Sequence, residues 1–178
     1  MNFSDPFGLC PDGTGKDGKQ TTNVKDCPKT AQGNAWRALA GAGKSGSEVI
    51  KGVVAGGINV VTGNSQNTCQ SQNSCFDPST NTITLDAHNT AGANAVSLSH
   101  EYTHSTEVQA TTATQWGKNE LAAWDASRGV YNKLQGAYRT EAVAEFSVRF
   151  NALAVGTPDR MLNLNRWIQN ARRRWGIP

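Results

Sequence analysis

Histidine is scarce in this chain, with three among 178 residues. Long apolar runs are missing. No stretch can span a bilayer, which excludes stable membrane insertion, and the sequence opens without the basic and apolar segments of a secretion signal. The chain is therefore expected to be soluble or exported as part of something larger. An excess of one charge is lacking as well. The net charge of +3 and pI near 8.7 are too weak to argue for a nucleic-acid partner. Hydrophobic residues make up only 37% while glycine reaches 18, so a core must be concentrated in part of the chain. The length suits one domain with a loosely packed leader. No C-x2-C pair occurs among Cys10, Cys27, Cys69 and Cys75, which argues against a four-thiolate zinc site. These cysteines are either free surface thiols or two disulfides. Cys10–Cys27 and Cys69–Cys75 would staple loops that bury little surface, but four cysteines leave three connectivities open.

Residues 1–32 read as irregular, with Pro6, Pro11, Pro28 and a glycine-rich PDGTGKDG run. A short helix over 33–44 would use Trp36 and Leu39 as apolar contacts. Residues 46–62 carry Val49, Ile50, Val53, Val54, Ile58 and Val61 at a spacing that predicts a helix face. The glycines in that stretch weaken it by up to about 1 kcal/mol each. Residues 63–75 read as a polar loop. The character changes at 79. TNTITLDAH alternates as a short half-buried strand over 81–86 would. Asn89 or Thr90 can cap a helix running to about 109. Further helices are predicted over 119–134 and 138–155, with Gly136 as the break between them, and over 159–174.

Two of the three histidines fall in His100-Glu101-Tyr102-Thr103-His104. Residues four apart on a helix share one face, with Cβ atoms about 5–6 Å apart. Two imidazoles so placed can converge on one zinc ion at about 2.0–2.1 Å. Such an ion acidifies a water, and Glu101, displaced around the helix from the pair, can take its proton. This is the logic of HExxH. The small and apolar residues around the motif, Ala93, Ala95, Val96 and Leu98, give a packed helix few other reasons to carry histidines.

A catalytic zinc site needs a third protein ligand and an open position. His88 precedes the motif and ends the strand, and no histidine follows it, so the third ligand is expected to be a downstream carboxylate. In RTEAVAEF, Glu141 and Glu145 share a helix face, and Ala142 and Ala144 allow close approach. Glu141 is taken as the metal ligand, and Glu145 as the carboxylate that receives the free ring nitrogen of a ligating histidine. Glu120, Asp125 and Glu107 are further candidates.

SLSHEYTHS followed by TEAVAEF resembles the gluzincin group of metallopeptidases, which pair HExxH with a glutamate on a following helix, often as E-x-x-x-D. The resemblance covers about residues 80–155, and Glu145 stands where the family's pattern has aspartate. It implies a strand lining the substrate cleft, with the peptide bound as an added edge strand, here against 81–86. It also implies a His, Tyr or Arg that stabilises the oxyanion. Tyr131, Tyr138, Arg139 and Arg149 are candidates, and Tyr138 and Arg139 are preferred for lying near Glu141.

The opening NFSDPFGL resembles the end of the Rhs/YD-repeat core of polymorphic toxins. In that family the core cuts itself after the leucine. The resemblance implies a junction at Leu9–Cys10, Asp5 in the core's own processing apparatus, and a toxin starting at Cys10. A phosphate loop at 40–45 is set aside because Ala38 stands where the spacing needs glycine. Arg172, Arg173 and Arg174 beside Trp167 and Trp175 read as a solvated helix end.

The expected fold is α+β, a mainly helical, zincin-like metallopeptidase with a small β-sheet flanking the HExxH helix. Residues 1–9 are a remnant of the Rhs core and 10–178 the toxin, with 10–78 a loop-rich leader and 79–178 the catalytic half. The expected function is zinc-dependent hydrolysis of a protein or peptide substrate. The domain would be the secreted effector of an Rhs-type toxin, with type VI or related delivery, acting inside a target cell. The expected partners are the Rhs shell and a cognate immunity protein. The alternatives are a cell-wall peptide amidase or endopeptidase, which disulfides would favour, and a nucleic-acid-directed toxin with an accidental HExxH.

Overall fold

A computed structural model describes residues 10–12, 20–25, 27–64, 69 and 74–156, and of 113 and 147–156 the backbone path alone. Residues 1–9, with Leu9, and the helix expected over 159–174 lie outside this range. The described residues form an α+β structure of five helices and a three-stranded sheet. The helices are α1 (Ala31–Gly41), α2 (Gly43–Ala55), α3 (Ala91–Thr106), α4 (Ala113–Tyr131) and α5 (Gly136–Gly156). The strands are β1 (Asn59–Gly63), β2 (Ser74–Asp77) and β3 (Thr82–Asp86). None of the described helices is long and apolar enough to cross a membrane.

The apolar pattern over 46–62 divides into two elements instead of continuing as one helix. Gly57 adopts φ +56 after α2, a conformation that ends a helix at little cost only for glycine. Beyond it Val60 turns inward and Val61 outward, as a strand requires. The loop expected over 63–75 gives up its last two residues to β2. The described residues of 10–78 include α1, α2, β1 and β2. Trp36, Leu39 and Val53 from α1 and α2 are fully buried beside Ile83, Leu85, Val96 and Leu98. Cys10 pairs with Cys27 and Cys69 with Cys75.

The sheet order is β1-β3-β2, with β1 parallel and β2 antiparallel to β3. Being central, β3 is covered on both faces, and its Ile83, Thr84, Leu85 and Asp86 are all buried. It is not the half-exposed strand expected from its alternation, and it has no free edge to receive a peptide. The outer edge of β1 is closed by side chains. Gln20 Nε2 donates to the Ile58 carbonyl at 2.7 Å and Gln32 Nε2 to the Val60 carbonyl at 2.8 Å. Such covering protects an edge from stray pairing. β2 forms the other side of the sheet, against α3.

α3 is the central element. Thr90 caps it by accepting from Ala93 N at 3.3 Å, which settles the choice between Asn89 and Thr90. Every residue from Gly92 to Glu101 is buried. A helix covered on all sides needs small residues more than an apolar stripe. Gly92 illustrates this, since a Cβ there would stand 2.0 Å from the Tyr138 carbonyl oxygen at the start of α5.

Candidate metal centre

His100 and His104 leave the last turns of α3 on one face, and their Nε2 atoms are 3.1 Å apart. α4 follows after a short loop, started by Thr112, whose hydroxyl accepts from Gln115 N at 3.2 Å. This start lies about a turn and a half before the expected one, and it brings Glu120 opposite the histidines. Glu120 Oε2 is 3.4 Å from His100 Nε2, and Oε1 is 3.3 Å from His104 Nε2. These three side chains are the group among the described residues able to hold a metal ion. Three donors at 2.0–2.1 Å from one tetrahedral ion stand about 3.3–3.4 Å apart. The two imidazole nitrogens come close to that spacing, Glu120 sets a different oxygen against each of them, and one ligand atom from each of the three side chains lies within 4.8 Å of the others.

The third corner is therefore Glu120 and not Glu141. The Glu141 carboxylate accepts from Gly92 N at 2.9 Å, at the opposite end of α3 and about 12 Å of helix rise from His100. There it satisfies an orphan amide and faces the positive pole of the helix. Glu145 lines an open surface concavity with Thr90, Thr140 and Glu141. The outer carboxylate expected of Glu145 is supplied by Glu107, whose Oε2 lies 3.0 Å from His104 Nδ1. That contact holds the ring with Nε2 pointing at the group. The structure does not bring Tyr138 or Arg139 to the histidines. Tyr138 packs its backbone on Gly92, and the Arg139 guanidinium lies 3.8 Å above the Tyr131 ring while donating to the Tyr131 carbonyl. His88 is exposed, with its ring against Asp86, and takes no part. The side chain of Arg149 lies outside the described residues, as does Leu9. Cys10 is buried in its disulfide.

Burial pushes the Glu101 carboxyl above its ordinary 4.5, against the charges of His100 and His104, while Glu120 adds to the rise and a hydrogen bond from Ser74 of β2 opposes it. Burial would lower His104, but Glu120 by hydrogen bond and charge, with Glu101 and Glu107, outweighs it and lifts the imidazole to about 9. Burial would raise Glu120, but hydrogen bonds and charge from both histidines pull it down to about 2. Without an ion His104 and Glu120 thus stand as an oppositely charged pair at neutral pH. The His100 ring is held by Trp124, with centroids 4.4 Å apart, and Trp124 meets Phe146 edge-on at 5.8 Å.

Two features of the sequence mark Glu120. It lies on the first long helix after the motif, and Trp124 stands one turn on, so an acid and a large aromatic share the face that meets α3. Glu107 is one turn beyond His104, within side-chain reach. No family model, curated protein or solved structure matches this chain.

Proposed function

We propose that the chain is a zinc-dependent endopeptidase of zincin-like build, acting as the effector domain of an Rhs-type toxin. The observation that carries the peptidase reading is the convergence of His100, His104 and Glu120, with the two imidazole Nε2 atoms 3.1 Å apart and one Glu120 oxygen against each, at 3.4 and 3.3 Å. When bound, the ion supplies Lewis-acid polarisation and a water of lowered pKa. His100, His104 and Glu120 hold it, and Glu107 keeps His104 in the tautomer whose Nε2 lone pair is free. Glu101, next to His100, takes the proton of the attacking water on its carboxylate and returns it to the leaving amine. Its buried setting raises its basicity, which favours the uptake. Ser74 links this carboxylate to β2. We assign an extended peptide to β2, because among the described strands β3 is paired on both sides and side chains of Gln20 and Gln32 cap carbonyls at the β1 edge.

The delivery reading rests on the NFSDPFGL resemblance. A toxin released after Leu9 would begin at Cys10, which is tied to Cys27. An immunity protein would then block the domain at home. The two disulfides favour a second reading, hydrolysis of cell-wall peptides in the periplasm, by the same residues.

The deciding experiment is elemental analysis of the purified protein with hydrolysis of casein and of peptidoglycan fragments. One zinc per chain is expected, and His100→Ala loses it. Glu101→Gln keeps the zinc and loses about 10²–10⁴-fold in rate. Metal-free protein that stays metal-free in zinc solution would leave the three side chains as an ion-paired cluster and end the peptidase reading.

A further inference from the structure

We propose that Trp116 and Val108 form an apolar subsite beside the metal centre, which takes a large apolar side chain of the peptide substrate next to the bond to be cut. This rests on the metallopeptidase reading above. Among the described residues the exposed large hydrophobics are Val61, Val108 and Trp116, and the last two adjoin residues of the centre along the chain, Trp116 one turn before Glu120 and Val108 next to Glu107. Trp116, Glu120 and Trp124 follow one another at single-turn intervals and share a face of α4. That face starts in the core, where Trp124 meets Phe146, passes the His100 ring and the Glu120 carboxylate, and emerges at Trp116, 43% exposed. Val108 is 82% exposed and directly follows Glu107, the partner of His104.

Neither residue sits on slack chain. The Val108 carbonyl accepts from Asn119 Nδ2 at 3.0 Å, and Asn119 immediately precedes Glu120. Trp116 N donates to the Thr112 carbonyl at 2.9 Å in the first turn of α4. Lone exposed apolar residues are ordinary. Val108, whose carbonyl is held by the neighbour of Glu120, and Trp116, one helical turn before Glu120, belong to the site. An indole face held open to water gains from covering by an aliphatic or aromatic side chain and loses little conformational freedom when covered. The nearby carboxylates Glu107 and Glu120 are engaged by the histidines, so they offer no competing pull on a basic side chain.

The test uses the full chain loaded with zinc and two hydroxamates, acetohydroxamate and an N-blocked leucine hydroxamate, with binding followed by calorimetry. Acetohydroxamate reaches only the ion and serves as the reference within each protein. The leucine compound is expected to bind roughly tenfold tighter, the equivalent of partly burying one apolar side chain. In Trp116→Ala and Val108→Ser that ratio should fall toward one. An unchanged ratio in both variants, with acetohydroxamate still binding, overturns the subsite and leaves the metal centre standing. Loss of a dimer in Trp116→Ala, seen by sedimentation with the ratio unchanged, assigns the patch to a second copy of the chain and overturns the subsite too. Failure of acetohydroxamate to bind zinc-treated wild type removes the metal centre and the subsite together.

Discussion

The two ends of α3 each meet a glutamate from a later helix, and the two glutamates have different work. At the N-terminal end Glu141 accepts from the Gly92 backbone amide, where the helix offers unpaired donors and partial positive charge. At the C-terminal end no backbone amide needs a partner, and Glu120 meets two imidazoles instead. A carboxylate at the first end closes the fold. A carboxylate at the second, converging with two nitrogen lone pairs, makes a place for a cation.

The contrast is sharpest in metal affinity. Glu120→Ala is expected to weaken zinc binding by more than the about 10–100-fold that loss of an outer carboxylate costs, while Glu141→Ala leaves it unchanged. Titration against a chelator of known affinity checks both, and a loss with Glu141→Ala alone would reverse the assignment of the two ends. Next comes Glu107→Ala, which removes only the hold on His104 Nδ1 and should cost about 10–100-fold in the same titration.

At the other end, Gly92→Ala drives a methyl against the Tyr138 carbonyl and should destabilise by about 1–3 kcal/mol in urea unfolding. Glu141→Ala should cost about 0.5–2 kcal/mol by the same measure, as loss of a helix cap does.

Acidity separates the ends further. In metal-free protein the His104 value is raised from 6.5 to about 9, so its contribution to stability is full below 6.5 and is lost as pH rises through 9. The Glu120 value is lowered from 4.5 to about 2, so its contribution is present above 4.5 and is lost as pH falls through 2. Chelator-treated protein should therefore be most stable between pH 4.5 and 6.5. Its Tm should decline toward pH 9, while the gain in Tm on adding zinc grows over that range. A flat Tm from 6.5 to 9 without metal would show that Glu120 does not hold the His104 proton.

The same contrast shows what a sequence can carry. His100, Glu101 and His104 lie within one helical turn, so backbone geometry alone places them, and their spacing is sufficient. The break at Gly136 is local in the same way, whereas the choice of Thr90 over Asn89 as cap and the pairing of the four cysteines stay open until the fold is formed. The assignment of Glu141 followed from a resemblance in spacing and from the small residues beside it. Of the two, Ala142 packs toward α3 at its other end, while Ala144 is exposed. Ala142 is buried as expected, and the face it belongs to meets Gly92, not His100. In β3 the alternation of Ile83 and Leu85 was legible, but the burial of Thr84 was not, because it depends on what packs over the second face of the sheet.

The sequence by itself determined the helix that carries two histidines on one face with a glutamate beside them, because an α-helix repeats every 3.6 residues whatever surrounds it. Only the tertiary structure decided which distant carboxylate joins them, which strand stays at the edge and which tryptophan faces water. Those outcomes depend on how far along α3 each later helix crosses it. The crossing point is set by side-chain volumes meeting at many places at once, and no single segment records it.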